Sequence, residues 1–173
     1  LKNTSIHKKI IENIDIGGPT MVRAAAKNYN DVTVITSCDQ YKKLIDEMVK
    51  FRGATSQNFR QEMSQIAFTE TAYYDALISN YFNRITNKRF PQKKIIYGNL
   101  IDKLRYGENP HQESAIYSQN NLLKIKQLHG KRLSYNNYND IFSALTISKS
   151  FPKNSGTVIV KHANPCGVSI KKN

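Results

Sequence analysis

The chain has little of several features that would narrow its class. It contains no tryptophan and only two cysteines, Cys38 and Cys166, and its 13 acidic residues face 26 basic ones. The cysteines lie far apart and belong to no CxxC or Cys/His cluster, which argues against a disulfide scaffold and a zinc site. No apolar run approaches the roughly 18 residues of a membrane span. These absences favour a cytoplasmic protein with no metal and no membrane segment.

The excess of positive charge admits two kinds of partner. The formal net charge is +13, so a basic nucleic-acid-binding module is one alternative, and its affinity would fall steeply with salt. The cations are scattered, however, with lysine pairs at 8–9, 42–43 and 93–94 and no block of five or six. Such scattering is typical of a solvated basic surface that attracts small phosphorylated or carboxylated ligands. We therefore predict no nucleic-acid partner.

Hydrophobic periodicity and helix-start signals predict an α/β chain in two parts. In the first part, 1–92, we expect helices ending near 13 and spanning 19–28, 38–51 and 56–87, with a short strand at 31–36. The basic stretch NKRFPQKK contains a proline and marks the boundary. In the second part, 93–173, we expect strands at 94–99, 114–119, 122–131 and 157–161, a polar loop at 134–140 and a helix from about 140 to 151.

Lys161 and His162 stand where the last predicted strand runs into the turn-forming Asn-Pro-Cys-Gly. Neighbouring strand side chains face opposite sides, so this pair can serve one site only if the strand stops there, which the turn residues predict. Open α/β sheets bind ligands beyond the carboxyl ends of their strands. A nearby ammonium favours a neutral His162 that can accept a proton. The alternative is a surface lysine beside a structural histidine.

Two further stretches of the second part carry ligand-binding groups. In LRYGENPHQ, Arg105 offers a planar fork for phosphate or carboxylate, and Tyr106 offers an aromatic face with a hydroxyl. In SYNNYND, Asn139 or Asp140 is a good N-cap for the predicted helix, which leaves Asn137 to contact a polar ligand. The alternative for LRYGENPHQ is a surface loop without a ligand.

The first part contains one candidate site, at IDIGGPT. Gly17 and Gly18 leave backbone N–H groups at a helix N-terminus, where anions are favoured. Arg23 and Lys27 share one helical face. Asp15, just ahead of the helix, could orient Lys27 or contact a ligand amide. The alternative is a solvated basic face beside a glycine turn.

Five segments in this order resemble one family: ENIDIGGPTMVRAAAKN, FTETAYYDALISNYF, LRYGENPHQ, LSYNN and VIVKHANPCGV. It is the bifunctional family that joins phosphoribosylaminoimidazolecarboxamide (AICAR) formyltransferase to IMP cyclohydrolase. Residues 69–71 depart mildly, since small residues and a histidine are more usual there. The resemblance implies that 1–92 is the C-terminal part of an IMP cyclohydrolase domain, with a methylglyoxal-synthase-like α/β fold. It implies that 93–173 is the N-terminal part of an α/β, cytidine-deaminase-like AICAR transformylase domain.

The resemblance also implies roles for particular residues. Catalytic roles fall to Asp15, Lys27, Lys161 and His162, and substrate-binding roles to Ile16, Gly17, Arg105, Tyr106 and Asn137. The implied chemistry is the last two steps of IMP synthesis, with 10-formyltetrahydrofolate as formyl donor, AICAR and formyl-AICAR as nucleotides, and no metal. The family also implies a homodimer. Both domains would be incomplete, so we expect this chain to be a fragment that is inactive alone.

Overall fold

A computed structural model describes residues 4–119 and 125–171. The backbone separates into two compact units, Leu1–Ile96 and Tyr97–Asn173. The described residues form helices and small antiparallel sheets, so the predicted α/β class is confirmed at this coarse level. The finer assignments stay predictions: a methylglyoxal-synthase-like part at 1–92 followed by a cytidine-deaminase-like part at 93–173.

The described part of the first unit is built from helices. Their bounds are Thr4–Glu12 (α1), Gly17–Lys27 (α2), a 3₁₀ turn at Cys38–Gln40, Tyr41–Lys50 (α3) and Gln57–Ile85 (α4). These bounds confirm the helices expected from periodicity. Pro19 is the third residue of α2 rather than the first, which the helix tolerates because the first four N–H groups lack intrahelical partners.

The longest element, α4, is one continuous helix where the sequence allowed one helix or two. Its 29 residues extend about 43 Å at 1.5 Å per residue. The Ser56 hydroxyl caps it by accepting a backbone N–H of the first turn at 3.3 Å. α4 packs against α2, where Ala67, Ala26 and Val34 form the buried core. The Ser64 hydroxyl donates to the Ala26 carbonyl at 2.7 Å and ties the two helices together.

The strand predicted at 31–36 is wrong, because no strand of the described residues pairs with this segment. Its β-branched pattern did report burial, since Val34 is only 9% exposed and joins the core. The Thr33 hydroxyl bonds with that of Thr55 at 2.7 Å. A β-branched run therefore indicated a half-buried segment, whereas a strand also requires a neighbour of matching register.

The second unit contains two separate antiparallel strand pairs and one helix. The elements are Asn99–Lys103 (β1), Ala115–Ser118 (β2), Tyr135–Ser148 (α5), Gly156–Lys161 (β3) and Asn164–Ile170 (β4). β1 pairs with β2 and β3 pairs with β4. In the second pair, Val158 lies opposite Val168 and Lys161 opposite Asn164. α5 packs against both β3 and β4.

Several predicted elements of this unit need correction. The strands at 114–119 and 157–161 are confirmed, but the strand expected at 94–99 begins only at Asn99. In the candidate strand 122–131, residues 122–124 lie outside the described residues, and 125–131 form no strand. The helix expected from about 140 begins at Tyr135, inside the predicted polar loop. The N-cap at Ser134 explains this shift.

Large apolar side chains remain substantially exposed in the described residues. Phe90, Leu128, Ile96 and Val49 are 86%, 85%, 81% and 77% exposed. No helix in the described parts of the chain combines the length and apolarity needed to cross a bilayer.

Candidate functional site

The loop that carries Arg105 and Tyr106 is anchored on the start of α5. The Arg105 backbone N–H donates to the Leu133 carbonyl at 3.0 Å, and the Tyr106 carbonyl accepts the Tyr135 N–H at 3.1 Å. The buried Gly107 closes the loop by donating to the Gln112 carbonyl at 2.7 Å. A Cβ at Gly107 would lie 2.8 Å from the Gln112 Cβ, so any larger residue would force this turn apart.

Arg105 and Tyr106 form a pair of their own. The guanidinium Nη2 donates to the Tyr106 hydroxyl at 2.9 Å, and the guanidinium carbon lies 4.7 Å from the ring centroid. The Arg105 guanidinium, and after it the Ser134 hydroxyl, hold the pKa of Tyr106 below its ordinary value. Because Arg105 is exposed and has five N–H donors, it retains donors for an anion.

A capping box at Ser134 positions Asn137. Ser134, 1% exposed, donates its backbone N–H to the Asn137 Oδ1 at 3.0 Å and accepts the Asn137 N–H on its hydroxyl at 3.4 Å. The predicted cap at Asn139 or Asp140 is therefore wrong, and Ser134 is the functional residue that sequence reasoning missed. The spacing Ser-x-x-Asn was the available signal. Since the Asn137 oxygen is engaged, a ligand would contact its amide nitrogen.

Lys161 and His162 lie at the tip of the β3–β4 hairpin. β3 ends at Lys161, and the next two residues, His162 and Ala163, have φ values of 53° and 59°. A two-residue loop with both φ positive fits a type I′ turn, which matches strand twist. The predicted strand end is correct, but its cause is wrong, because Asn164 and the Pro-Cys-Gly after it belong to β4. Both side chains are exposed and lack hydrogen bonds within the described residues.

Asp140 connects the hairpin tip to α5. Its Oδ1 accepts the Ala163 backbone N–H at 2.7 Å. Asp140 and Asn137 are three residues apart, so they lie on neighbouring turns of one helix face. The first turns of α5 thus contact both the Arg105–Tyr106 loop and the Lys161–His162 tip. We call this arrangement the α5 cluster: Arg105, Tyr106, Ser134, Asn137, Asp140, Lys161 and His162.

The candidate residues of the first unit surround the N-terminus of α2. The Asp15 Oδ1 accepts the Gly18 N–H at 3.0 Å, and the Asp15 N–H donates to the Tyr74 hydroxyl of α4 at 2.8 Å. A Cβ at Gly18 would overlap the Asp15 carboxylate, so a larger residue there would displace this side chain from its bond to the N–H. Ile16 is 72% exposed, and a Cβ at Gly17 would meet no atom within 4 Å. The Ile16 carbonyl accepts two bonds from Thr20, so the surface open to a ligand is the one beside Gly17.

Lys27 lies at the other end of α2. It is the last residue of this 11-residue helix, about 15 Å along the axis from Gly17. It is exposed and forms no ion pair with Asp15 in the described structure. The hypothesis that Asp15 orients Lys27 directly is therefore wrong, and the two could share only a ligand long enough to reach both. Arg23, on the same face as Lys27, lies 5.5 Å from the Phe68 ring centroid.

The described residues contain no group of three or more His, Cys, Asp and Glu side chains arranged to hold a metal ion.

The family comparison gives this geometry a context. A protein-family model described as the AICARFT/IMPCHase bienzyme matches residues 25–173. The chain belongs to the AICARFT/IMPCHase family. The matched range includes the whole α5 cluster and Lys27, whereas Asp15, Ile16 and Gly17 precede it.

Curated relatives of the AICARFT/IMPCHase chain carry one name, bifunctional purine biosynthesis protein PurH. The relative from Bradyrhizobium diazoefficiens is 47% identical over 165 residues, which cover 92% of this chain and 31% of the relative. The one from Listeria welshimeri is 46% identical over 171 residues, 96% of this chain and 33% of the relative. The one from Oceanobacillus iheyensis is 44% identical over 169 residues, 95% and 32%. The chain thus spans about a third of the length of these relatives.

Proposed function

We propose that this chain supplies part of an enzyme for the last two steps of de novo IMP synthesis. The first step transfers a formyl group to the 5-amino group of AICAR, and the second closes the ring of formyl-AICAR with loss of water. The observation that carries the proposal is the α5 cluster, in which one helix N-terminus contacts an Arg–Tyr pair and a Lys–His tip. Family membership adds independent support.

The α5 cluster would carry out formyl transfer. The lone pair of the AICAR amine is delocalised into the ring and carboxamide, so its attack gains from proton removal. We assign His162 as the general base, a role that typically raises the rate by 10²–10⁴-fold. Its exposed imidazole has no competing hydrogen bond in the described structure. Lys161 would stabilise negative charge developing on the formyl oxygen or protonate the folate nitrogen that leaves when its bond to the formyl carbon breaks. 10-Formyltetrahydrofolate, the donor that the family implies, would supply the formyl group.

The other residues of the α5 cluster would hold the nucleotide. The free donors of Arg105 suit a phosphate, and Tyr106 offers its ring face and hydroxyl. Ser134 engages the side-chain oxygen of Asn137, so Asn137 would contact the nucleotide through its amide nitrogen, as a donor. Such placement makes the reaction effectively unimolecular. It lowers the barrier because the reacting groups lose their relative translation and rotation when the nucleotide binds.

In the cyclohydrolase step, the carboxamide nitrogen attacks the formamido carbon. Lys27 would polarise the formyl oxygen, and Asp15 would orient the attacking amide. The open surface beside Ile16 and Gly17 supports a nucleotide bound at the start of α2. Because the formyl oxygen and the attacking amide are adjacent in the closing ring, the Lys27 side chain would extend back along α2 toward Asp15 to reach them. We propose that the enzyme is a cytoplasmic homodimer, and that the 173-residue chain alone catalyses neither step because it spans a third of the relatives' length.

The alternative of a basic nucleic-acid-binding module has one feature in its favour. A groove of about 640 Å³ near the end of α4 is lined by Arg84, Lys88, Arg89 and Lys94 together with three asparagines. Helix C-termini commonly carry cations, which favour the negative end of the helix dipole. The cations of this groove therefore do not require a nucleic-acid partner. We favour the enzyme because it also accounts for the α5 cluster.

Replacement of His162 by alanine tests the proposed function. In the product of the complete reading frame that encodes this chain, we expect formyl transfer to fall by about 10²–10⁴-fold, since a general base is lost. Cyclisation of formyl-AICAR should stay nearly unchanged, because its proposed residues lie in the other unit. Both rates are measured by steady-state kinetics with AICAR and with formyl-AICAR as separate substrates. Equal loss of both activities, or loss of neither, would contradict the assignment.

A further inference from the structure

The hairpin tip that presents His162 is held from outside the hairpin by one carboxylate. The Ala163 N–H donates to the Asp140 Oδ1 at 2.7 Å, and the two residues are 23 positions apart in sequence. Within the hairpin, the Asn164 side-chain amide donates to the His162 carbonyl at 2.8 Å. Both bonds engage the peptide group between His162 and Ala163, one through its N–H and the other through its carbonyl.

This tip needs such support because its backbone is unusual for its residues. His162 and Ala163 both have positive φ, whereas type I′ turns prefer Asn-Gly or Gly-Gly at these positions. Non-glycine residues in the left-handed region persist where surrounding contacts over-determine them, and such residues cluster at functional sites. A bond from a helix side chain to the turn N–H is a contact of that kind.

Asp140 also links the tip to the helix that carries Asn137. It is on α5 one turn after Asn137, and the backbone at the start of the same helix is hydrogen-bonded to the Arg105–Tyr106 loop. We propose that Asp140 is a positioning residue for formyl transfer, which fixes the Lys161–His162 tip against α5 at a set distance from Asn137 and Tyr106. The inference rests on the proposed function, in which His162 takes a proton from the AICAR amine. Asp140 itself acts through the turn and contacts no substrate.

Two substitutions at Asp140 test this role in the product of the complete reading frame. Asp140→Ala removes the acceptor, and Asp140→Asn keeps an oxygen at the same place. For the alanine variant we expect kcat of formyl transfer to fall on the order of 10²-fold, with little change in KM for AICAR. The asparagine variant should restore most of kcat. Amide exchange at Ala163, followed by NMR, should be accelerated in the alanine variant and near wild type in the asparagine variant.

Asn139→Ala is the matched control, because Asn139 is the exposed neighbour on α5 and has no side-chain hydrogen bond in the described structure. It should leave kcat and Ala163 exchange unchanged. Unchanged kcat in Asp140→Ala despite faster exchange would overturn the positioning role and leave the proposed function intact. Equal loss of kcat in the asparagine and alanine variants would overturn it as well. Failure of the proposed function has its own signature, which is full formyl transfer in His162→Ala.

Discussion

At the scale of single residues, the candidate site depends on side chains that engage one another before any ligand binds. Arg105 donates to the Tyr106 hydroxyl, Ser134 engages the oxygen of Asn137, and Asp15 accepts the Gly18 N–H. Each contact fixes one rotamer and leaves a defined set of donors for a ligand. Such pre-ordering reduces the conformational entropy that a bound nucleotide would otherwise have to offset.

The Arg105–Tyr106 contact predicts an unusual tyrosine titration. The guanidinium, and then the Ser134 hydroxyl, lower the pKa of Tyr106 from its ordinary value of 10.0, so Tyr106 should ionise at lower pH in the folded protein than in the unfolded chain. The pKa of Tyr106 is lower in the folded chain than in the unfolded chain. Its ionisation therefore contributes its full stabilisation of the fold only above the pKa of the unfolded chain. The effect is lost as pH falls through the folded pKa.

Arg105→Gln should return the Tyr106 pKa most of the way to its ordinary value, since the main cause of the shift is removed. The measurement is an NMR titration of the tyrosine Cζ resonances. Arg132→Gln is the control, because Arg132 pairs with Asp102 instead. A Tyr106 titration that is the same in wild type and Arg105→Gln would show that the contact does not perturb the hydroxyl.

At the scale of elements, α5 organises the second unit through its capping box. Ser134 is buried, and its hydroxyl and N–H both bond to Asn137. Loss of an N-cap side chain costs about 1 kcal/mol. Because the Arg105–Tyr106 loop hydrogen-bonds to the backbone on both sides of this cap, the effect should reach beyond the helix itself.

Ser134→Ala should therefore raise local opening of α5 by roughly fivefold, the ratio that corresponds to about 1 kcal/mol. Hydrogen exchange over 135–148 measures this opening by mass spectrometry. Ser143→Ala in the same helix is the matched control, because Ser143 has no side-chain hydrogen bond in the described structure and alanine favours helix. Equal exchange in the two variants would contradict a capping role.

The elements also show what the sequence could and could not predict. Periodicity located α1 to α4 and the strand β3, because a repeat of apolar residues is a local signal. The start of α5 was misplaced, because the six residues after Ser134 were interpreted as a polar loop although a capping box opens a helix there. The turn at His162–Ala163 was missed because the pair lacks the Asn-Gly or Gly-Gly signature of a turn with two positive φ values. Its Asp140 contact is non-local, and only the folded chain brings it together.

At the scale of the whole molecule, little apolar surface is hidden. The fully buried apolar side chains of the described residues are mostly small, and the largest is Met63. Twelve large apolar residues in the described parts of the two units are at least 50% exposed, among them Phe90, Leu128, Ile96, Val49 and Met21. Burial of apolar area is the main favourable term in folding. The 173-residue chain alone is therefore expected to be only marginally stable.

This expectation can be measured on the isolated chain. It should bind the apolar dye ANS strongly and unfold at low urea over a broad transition, because exposed apolar side chains bind the dye and a small core gives a shallow denaturant dependence. The PurH protein of Listeria welshimeri, three times as long by its matched share, is the control and should bind little dye. A sharp urea transition of the isolated chain, with dye binding no greater than that of the control, would contradict the prediction. In that case the apolar side chains that are exposed in the structure would have to be covered in solution by further copies of the chain, which sedimentation at several concentrations would detect.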